Sequence, residues 1–232
     1  MLSLASSPER IPLADDPYGS AERARGYDLM VARDSLLYPM ERVVSLLGPQ
    51  SHAGITTANL GSETGILALM YGARCPQVHI IGLEPSTAFL QVAEENLTLA
   101  RLAGFRARLE FRKSSFLSLP LEDHGVDILF TNNQLYRCDD IVGLLRECRR
   151  LVKPDGLVML YELVRDADPQ KLRFVSQWLR DGQKEFWRTV NACYTTAEIS
   201  AALVSAGLEG WRMYREQLAV CIASKPVTGA VL

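Results

Sequence analysis

The chain is poor in the residues that announce metal or redox chemistry. It has three histidines, His52, His79 and His124, and five cysteines, Cys75, Cys138, Cys148, Cys193 and Cys221, scattered, odd in number and without a CxxC pair. That pattern suggests neither a zinc site nor a disulfide framework and leaves reduced thiols in a cytoplasmic setting as the expectation, with no metal. Charge of one sign is also lacking. Lys and Arg number 25 against 27 Asp and Glu, a net charge of −2, which argues against general affinity for nucleic acid or an anionic membrane surface. No apolar run reaches the roughly 20 residues of a membrane span. The N-terminal "MLSLASSPERIPLADDPYGS" lacks a basic start followed by a long apolar core, so it does not read as a signal peptide. Residues 1–19 read instead as a loose lead-in whose prolines discourage regular structure.

What is present is an ordinary globular composition, 48% hydrophobic and 22% charged over 232 residues, enough for one sizeable core in a single α/β domain over residues 20–232. A helix is expected over Ser20 to Leu47, a helical cap within residues 20–50, with Pro39 as a kink or break. Strands "ITTANL", "VHIIGLE", "ARLEFRK" and "VDILFTN" then alternate with helices near Thr64–Arg74, Ser86–Ala103 and in "DDIVGLLRECRRLVK". Pro154-Asp155-Gly156 turns into strand "LVMLYEL". This alternation predicts a mostly parallel sheet covered on both faces. Near the end, Thr195 and Glu198 form a candidate capping box, and "LEGWRMYREQ" and "LAVCIASKP" are close enough to pair antiparallel. Between residues 165 and 194 lies a helical stretch rich in aromatics, Phe174, Trp178, Phe186, Trp187 and Tyr194. It is either a layer packed on the sheet or a lid over the carboxyl ends of the strands, where such folds bind ligands.

The first strand-turn-helix, "TTANLGSETGILALMYGA", is the site to interrogate. It is not a phosphate loop, since GxxxxGK[ST] is absent. It is not the dinucleotide fingerprint either, because Glu63 and Ile66 stand where that pattern wants glycine and a small residue, and a carboxylate there would repel a pyrophosphate. Glu84 ends the next strand in "IIGLEPS", beside Pro85 and about 20 residues on, where an acidic side chain accepts ribose hydroxyls. The crevice therefore wants a ribose without phosphates.

In these stretches the chain resembles class I S-adenosylmethionine-dependent methyltransferases of the small-molecule type. The likeness runs from about Ile55 to Leu163 and resumes in "TTAEISAALVSAGLEGW" and "LAVCIASKP". The family's glycine turn matches "ANLGSETG" (Asn59, Gly61, Ser62, Glu63, Gly65), its acidic ribose residue matches Glu84, its segment after the fourth strand matches "VDILFTNNQLYRCDD", and its basic signature matches "LLRECRRLVKPDG". The resemblance implies a Rossmann-like, doubly wound, seven-stranded, mostly parallel sheet with one antiparallel strand in the last pair at its edge, helices on both faces and a helical lid. It implies S-adenosylmethionine as cofactor and a small organic molecule as acceptor. The chain departs from the family at Asn59, where an acid is usual, at Glu63, where glycine is usual, and at Ser115, where an aspartate would meet the adenine amino group. Ser115 can accept a hydrogen bond, and the Phe116 N–H can meet a ring nitrogen.

Methyl transfer asks the protein mainly for placement and exclusion of water, and for a base only when the acceptor is protonated. The three histidines fall at the amino ends of strands, away from such a site. Residues at carboxyl ends are better placed: Asn132, Asn133, Tyr136 and Arg137 after the fourth strand, Tyr161 and Glu162 after the fifth. Tyr136 and Glu162 are the catalytic candidates, Asn132 and Asn133 join the cofactor set, and Tyr27 closes over the methyl donor. Glu63 either points outward as a helix-start residue or turns inward toward the methionine moiety, and tolerance is favoured over recognition. Two rival readings stand beside a small-molecule methyltransferase: a non-catalytic or repurposed methyltransferase fold that binds a ligand or partner, and a methyltransferase acting on RNA or protein.

Overall fold

The structure, a computed structural model, describes residues 9–13, 19–33, 37–179 and 182–229. The alternating apolar stretches form β1 (Thr56–Leu60), β2 (His79–Glu84), β3 (Arg108–Lys113), β4 (Val126–Asn132) and β5 (Val152–Leu163), paired in parallel. With β6 (Arg212–Arg215) and β7 (Ala219–Ala223) they make a seven-stranded sheet in the order β3-β2-β1-β4-β5-β7-β6. β7 runs antiparallel to both of its neighbours, so the sheet ends in a hairpin with β6 outermost. The strand order turns back between β1 and β4, and the crevice above that point is where a doubly wound sheet receives ligands.

Among the described residues eight α-helices surround the sheet: α1 (Ala21–Arg33), α2 (Leu37–Leu47), α3 (Ile66–Arg74), α4 (Thr87–Leu102), α5 (Ile141–Leu151), α6 (Pro169–Trp178), α7 (Gln183–Ala192) and α8 (Thr196–Ala206). Alternate strand residues bury on opposite faces. Ile128 and Phe130 of β4 join Val43 of α2 and Leu67 and Tyr71 of α3, whereas Leu129 joins Leu144 of α5 and Leu203 of α8. Because both faces are covered, the central strands are apolar throughout rather than alternating. Each fully buried leucine here contributes about 1.5–3 kcal/mol.

Helix ends follow local chemistry. Ser86 accepts from the Phe89 N–H to start α4, and Asp140 accepts from the Gly143 N–H to start α5. The expected capping box of Thr195 and Glu198 starts α8, with both reciprocal bonds made.

Three expectations change. The N-terminal helix is two helices, α1 and α2, and Pro39 lies in the first turn of α2 rather than at the break; there its missing N–H costs no intrahelical bond. The segment around Pro154-Asp155-Gly156 is a bulge inside β5, not a turn before it: Val126 pairs with Val152, and the next pair is Ile128 with Leu157. The lead-in is not loose over residues 9–13. Ile11 donates its N–H to the Asn191 carbonyl at 2.8 Å, while Arg10 donates to the carbonyls of Ala192 (2.8 Å) and Tyr136 (3.0 Å) and pairs with Asp139 (2.8 Å). The rest of the lead-in, residues 1–8 and 14–18, lies outside the described residues.

No helix among the described residues is long and apolar enough to cross a membrane. All five cysteines are free and buried.

Candidate functional site

The glycine turn after β1 folds back on β2. Gly61 and Gly65 take φ of 63° and 82°, and the N–H groups of Gly61 and Ser62 both donate to the Leu83 carbonyl, at 2.8 and 3.1 Å. Glu63, between the glycines, also has positive φ, 49°, a conformation that costs a non-glycine residue about 1–2 kcal/mol. Its partners hold it there. The side chain turns inward, accepting from Tyr27 Oη at 2.7 Å and from Gln134 Nε2 at 3.2 Å. Burial pushes the Glu63 carboxyl up to about 7, opposed by the nearby Arg137 charge and the Tyr27 bond. Of the two orientations open in the sequence, the inward one is therefore found, because donors from α1 and from the loop after β4 converge on it.

Glu84 ends β2 fully buried. Oε1 accepts from the Ser86 N–H at 2.8 Å and from Arg137 Nη2 at 2.8 Å; Oε2 accepts from the Glu63 N–H at 2.9 Å and from Arg137 Nη1 at 3.3 Å. Arg137 Nη1 also donates to Gln134 Oε1 at 2.7 Å. Its guanidinium lies 5.7 Å from the Phe89 ring centroid and 5.4 Å from that of Phe116. Burial lowers the Arg137 pKa, but the Glu84 charge and hydrogen bonds outweigh it and hold the group firmly protonated. Gln134 lies so close over Gly61 that a Cβ there would collide with its side chain. A polar chain thus runs Tyr27–Glu63–Gln134–Arg137–Glu84 along the carboxyl ends of β1, β2 and β4.

Beside this chain opens a cavity of about 300 Å³. Its walls come from α1 and α2 (Tyr27, Met30, Met40), from the loop after β4 (Asn132, Asn133, Tyr136) and from Tyr161 and Leu163 of β5. Val175, Phe186 and Thr189 of α6 and α7 close it opposite the sheet. Tyr161 Oη donates to Glu216 Oε2 at 2.8 Å, and Glu216 is held by Arg42 at 2.6 Å. Glu216 faces the cavity from the turn before β7; nothing in the sequence pattern singled it out, since the turn reads as an ordinary hairpin.

The structure thus brings together Tyr27, Glu63, Asn132, Asn133 and Tyr136 at one cavity. Gly61, Ser62 and Gly65 form the turn behind them, and Asn59 is buried on β1 with Nδ2 3.5 Å from the Phe130 carbonyl. Pro85 follows Glu84, and its carbonyl accepts from Lys113. Phe116 is at the guanidinium of Arg137, while Ser115 is exposed and bridges to Ser118. Glu162 is the exception among the catalytic candidates. Strand alternation turns it away from Tyr161, and its Oε2 accepts the N–H groups of Gln134 and Leu135 at 2.8 and 3.0 Å. It is not in the cavity wall. Burial pushes its carboxyl up to about 8 against those two bonds. The aromatics of the candidate lid segment also divide. Phe186 faces the cavity, Trp187 is core with Nε1 donating to Ser176 Oγ at 2.9 Å, and Trp178 is 71% exposed. The three histidines stay out of the cavity wall.

Comparison with known proteins fits this geometry. Residues 58–160 match the family model described as a methyltransferase domain. A malonyl-[acyl-carrier protein] O-methyltransferase of Coxiella burnetii is 24% identical over 74% of this chain and 53% of its own length. A demethylmenaquinone methyltransferase of Thermotoga maritima is 28% identical over 51% of this chain and 47% of its own. The chain thus spans about half the length of these curated relatives. In fold it is similar to a Methanococcus maripaludis protein provisionally assigned as an S-adenosyl-L-methionine-dependent methyltransferase, with TM-score 0.70, 17% identity and coverage of 95% of this chain and 99% of that one. The resemblance to class I S-adenosylmethionine-dependent methyltransferases is borne out, and S-adenosylmethionine is the cofactor of that family.

The residues present fit that cofactor at its methionine end. Asn132 Oδ1 is buried with no hydrogen-bond partner among the described residues, and it and Glu63 both border the cavity. An unsatisfied buried acceptor beside a carboxylate suits a ligand bearing an ammonium group.

Proposed function

We propose that this protein is an S-adenosylmethionine-dependent methyltransferase that transfers a methyl group by in-line displacement to a small organic acceptor in the cavity above β4 and β5. The observation that carries the reading is the cavity itself: largely apolar, at the switch point of the sheet, with Glu63 and Asn132 on one wall. The cofactor supplies an electrophilic methyl group on a sulfonium. The chain's part is to hold the ammonium end through Glu63 and Asn132, to receive the ribose at Glu84 at the end of β2, and to keep water from the reacting atoms with Met30, Met40, Leu163 and Phe186.

Tyr136 is the residue we assign to acceptor contact. Its backbone carbonyl is fixed by Arg10, and the N–H groups of the two residues before it are fixed by Glu162. Glu162 is thereby a positioning residue rather than a base. Helices α6 and α7 serve as the lid through their inner faces. A compact acceptor accords with the volume, which is at the small end of the roughly 300–1,000 Å³ usual for ligand pockets. The relatives' names, one a carrier-bound malonyl group and one a quinone, agree on small acceptors but not on one chemistry. A cytoplasmic setting accords with five unpaired cysteines.

A second reading keeps the fold and drops the transfer, and one observation favours it: every acceptor position of Glu84 is already filled by the protein's own donors. Calorimetric titration with S-adenosylmethionine and S-adenosylhomocysteine, followed by transfer of labelled methyl groups to a panel of small organic acceptors, separates the two. Binding with transfer supports the enzyme, whereas binding without transfer to any acceptor, or no binding of either nucleoside, supports the repurposed fold.

A further inference from the structure

A carboxylate offers about four acceptor positions. At Glu84 all four are occupied, two by backbone N–H groups that the turn and the following residue fix in place, and two by Arg137. Ribose hydroxyls can reach Glu84 only by taking the two positions that Arg137 holds. The same guanidinium lies between the Phe89 and Phe116 rings, a flat cationic group in an aromatic slot beside the ribose acid. Gln134 completes the filling, covering Gly61 while it accepts from Arg137. None of Glu84, Arg137, Phe89 or Phe116 borders the open cavity. The nucleoside half of the crevice is therefore full of protein, while the half beside β5 is open.

We propose that Arg137 is an internal competitor of the cofactor's nucleoside: it occupies the ribose acid and the neighbouring aromatic slot, and its departure sets how tightly this chain binds S-adenosylmethionine. The inference rests on the reading of Glu84 as the ribose acid. An incoming ribose keeps hydrogen bonds to the carboxylate but replaces a cationic donor by neutral hydroxyls, and so gives up the attraction between two opposite charges. The apparent affinity is then reduced by the fraction of molecules in which Arg137 has left Glu84. Arg137 leaves Glu84 by a swing of its side chain, because its backbone is held in place. It is in a single 3₁₀ turn, Leu135–Arg137, that follows Asn133 at φ 57°, and that turn is tied to the rest of the domain by Arg10 and by Tyr194 Oη on the Cys138 carbonyl, 2.7 Å.

The test is calorimetric titration of S-adenosylhomocysteine and S-adenosylmethionine into the wild-type protein, Arg137→Ala, Gln134→Ala and the double variant Arg137→Ala/Glu84→Ala, each checked for cooperative thermal unfolding. Arg137→Ala is expected to bind at least tenfold more tightly than wild type. Gln134→Ala, which keeps the ion pair but frees Gly61 and loosens Arg137, is expected to gain a smaller factor; it carries the test if Arg137→Ala does not fold. Adding Glu84→Ala to Arg137→Ala is expected to abolish the gain. A merely structural arginine would leave affinity unchanged or lower it when removed. Equal or weaker binding by folded Arg137→Ala and Gln134→Ala, with wild type binding measurably, overturns the competitor and leaves the methyltransferase reading standing. Absence of binding by every variant overturns both, and so tells the two failures apart.

Discussion

The two halves of the crevice are built from the same strand ends and differ in what fills them. Beside β1 and β2, carboxylates and donors satisfy one another: Glu63 with Tyr27 and Gln134, Glu84 with Arg137. Beside β5 and β7 Tyr161 and Glu216 answer one another with Arg42, and the other walls are mostly apolar and leave a cavity of about 300 Å³. Burying a carboxylate is tolerable only when its partners are supplied, so the first half closes on itself. Apolar walls make no such demand, and the second half stays open. A polar ligand site must be answered by the ligand or by the protein, and here the protein answers at Glu84.

The largest effect should come from breaking the filled half. Glu84→Ala leaves Arg137 buried without its carboxylate, and removing one partner of a buried pair costs about 3–5 kcal/mol. Urea unfolding should record a loss of that size; a loss within about 0.5 kcal/mol would mean that Arg137 already finds other partners.

Glu162 sharpens the contrast, since it is buried between the halves with only backbone donors. Its folded pKa, about 8, is above the unfolded value of about 4.3. The folded state therefore holds the proton more tightly, and stability associated with this group is full below about pH 4.3 and declines as pH rises through about 8. Glu162→Gln should remove that decline, so the variant gains on wild type across this window by several kcal/mol. Parallel pH profiles for the two proteins would show that Glu162 is not buried in the way described.

In the open half, Phe186→Ala should raise the KM for a methyl acceptor about tenfold, close to 1.4 kcal/mol, while cofactor affinity changes little. Equal effects on both ligands would return α7 to a packing role. Tyr27→Phe removes one hydrogen bond to Glu63, costing about 1 kcal/mol and raising the Glu63 pKa further, which a titration of that carboxyl by NMR would follow. Trp178→Ala, on the exposed side of α6, should change stability by less than about 0.5 kcal/mol. A larger loss would reveal a surface contact on the helices above the cavity.

The sequence by itself determined the strands, the capped helix starts and the place of the glycine turn. These are local matters: apolar runs bounded by Gly61, Gly104 and Asp140, side chains that cap within three residues, and an acid at a fixed distance from a glycine turn. It also marked Tyr27, Asn132 and Tyr136 correctly as neighbours of one crevice, because carboxyl ends of parallel strands converge by topology alone. It did not determine which way Glu63 turns, that Glu162 faces away from the cavity while Tyr161 faces into it, or that Glu216 comes to that wall. Least of all did it disclose the partner of Glu84. Arg137 is 53 residues further on, and no spacing rule links a strand-end acid to an arginine in a loop beyond another strand. Only the packed chain decided that pairing, since a buried charge takes its partner from whatever the fold brings within about 3 Å.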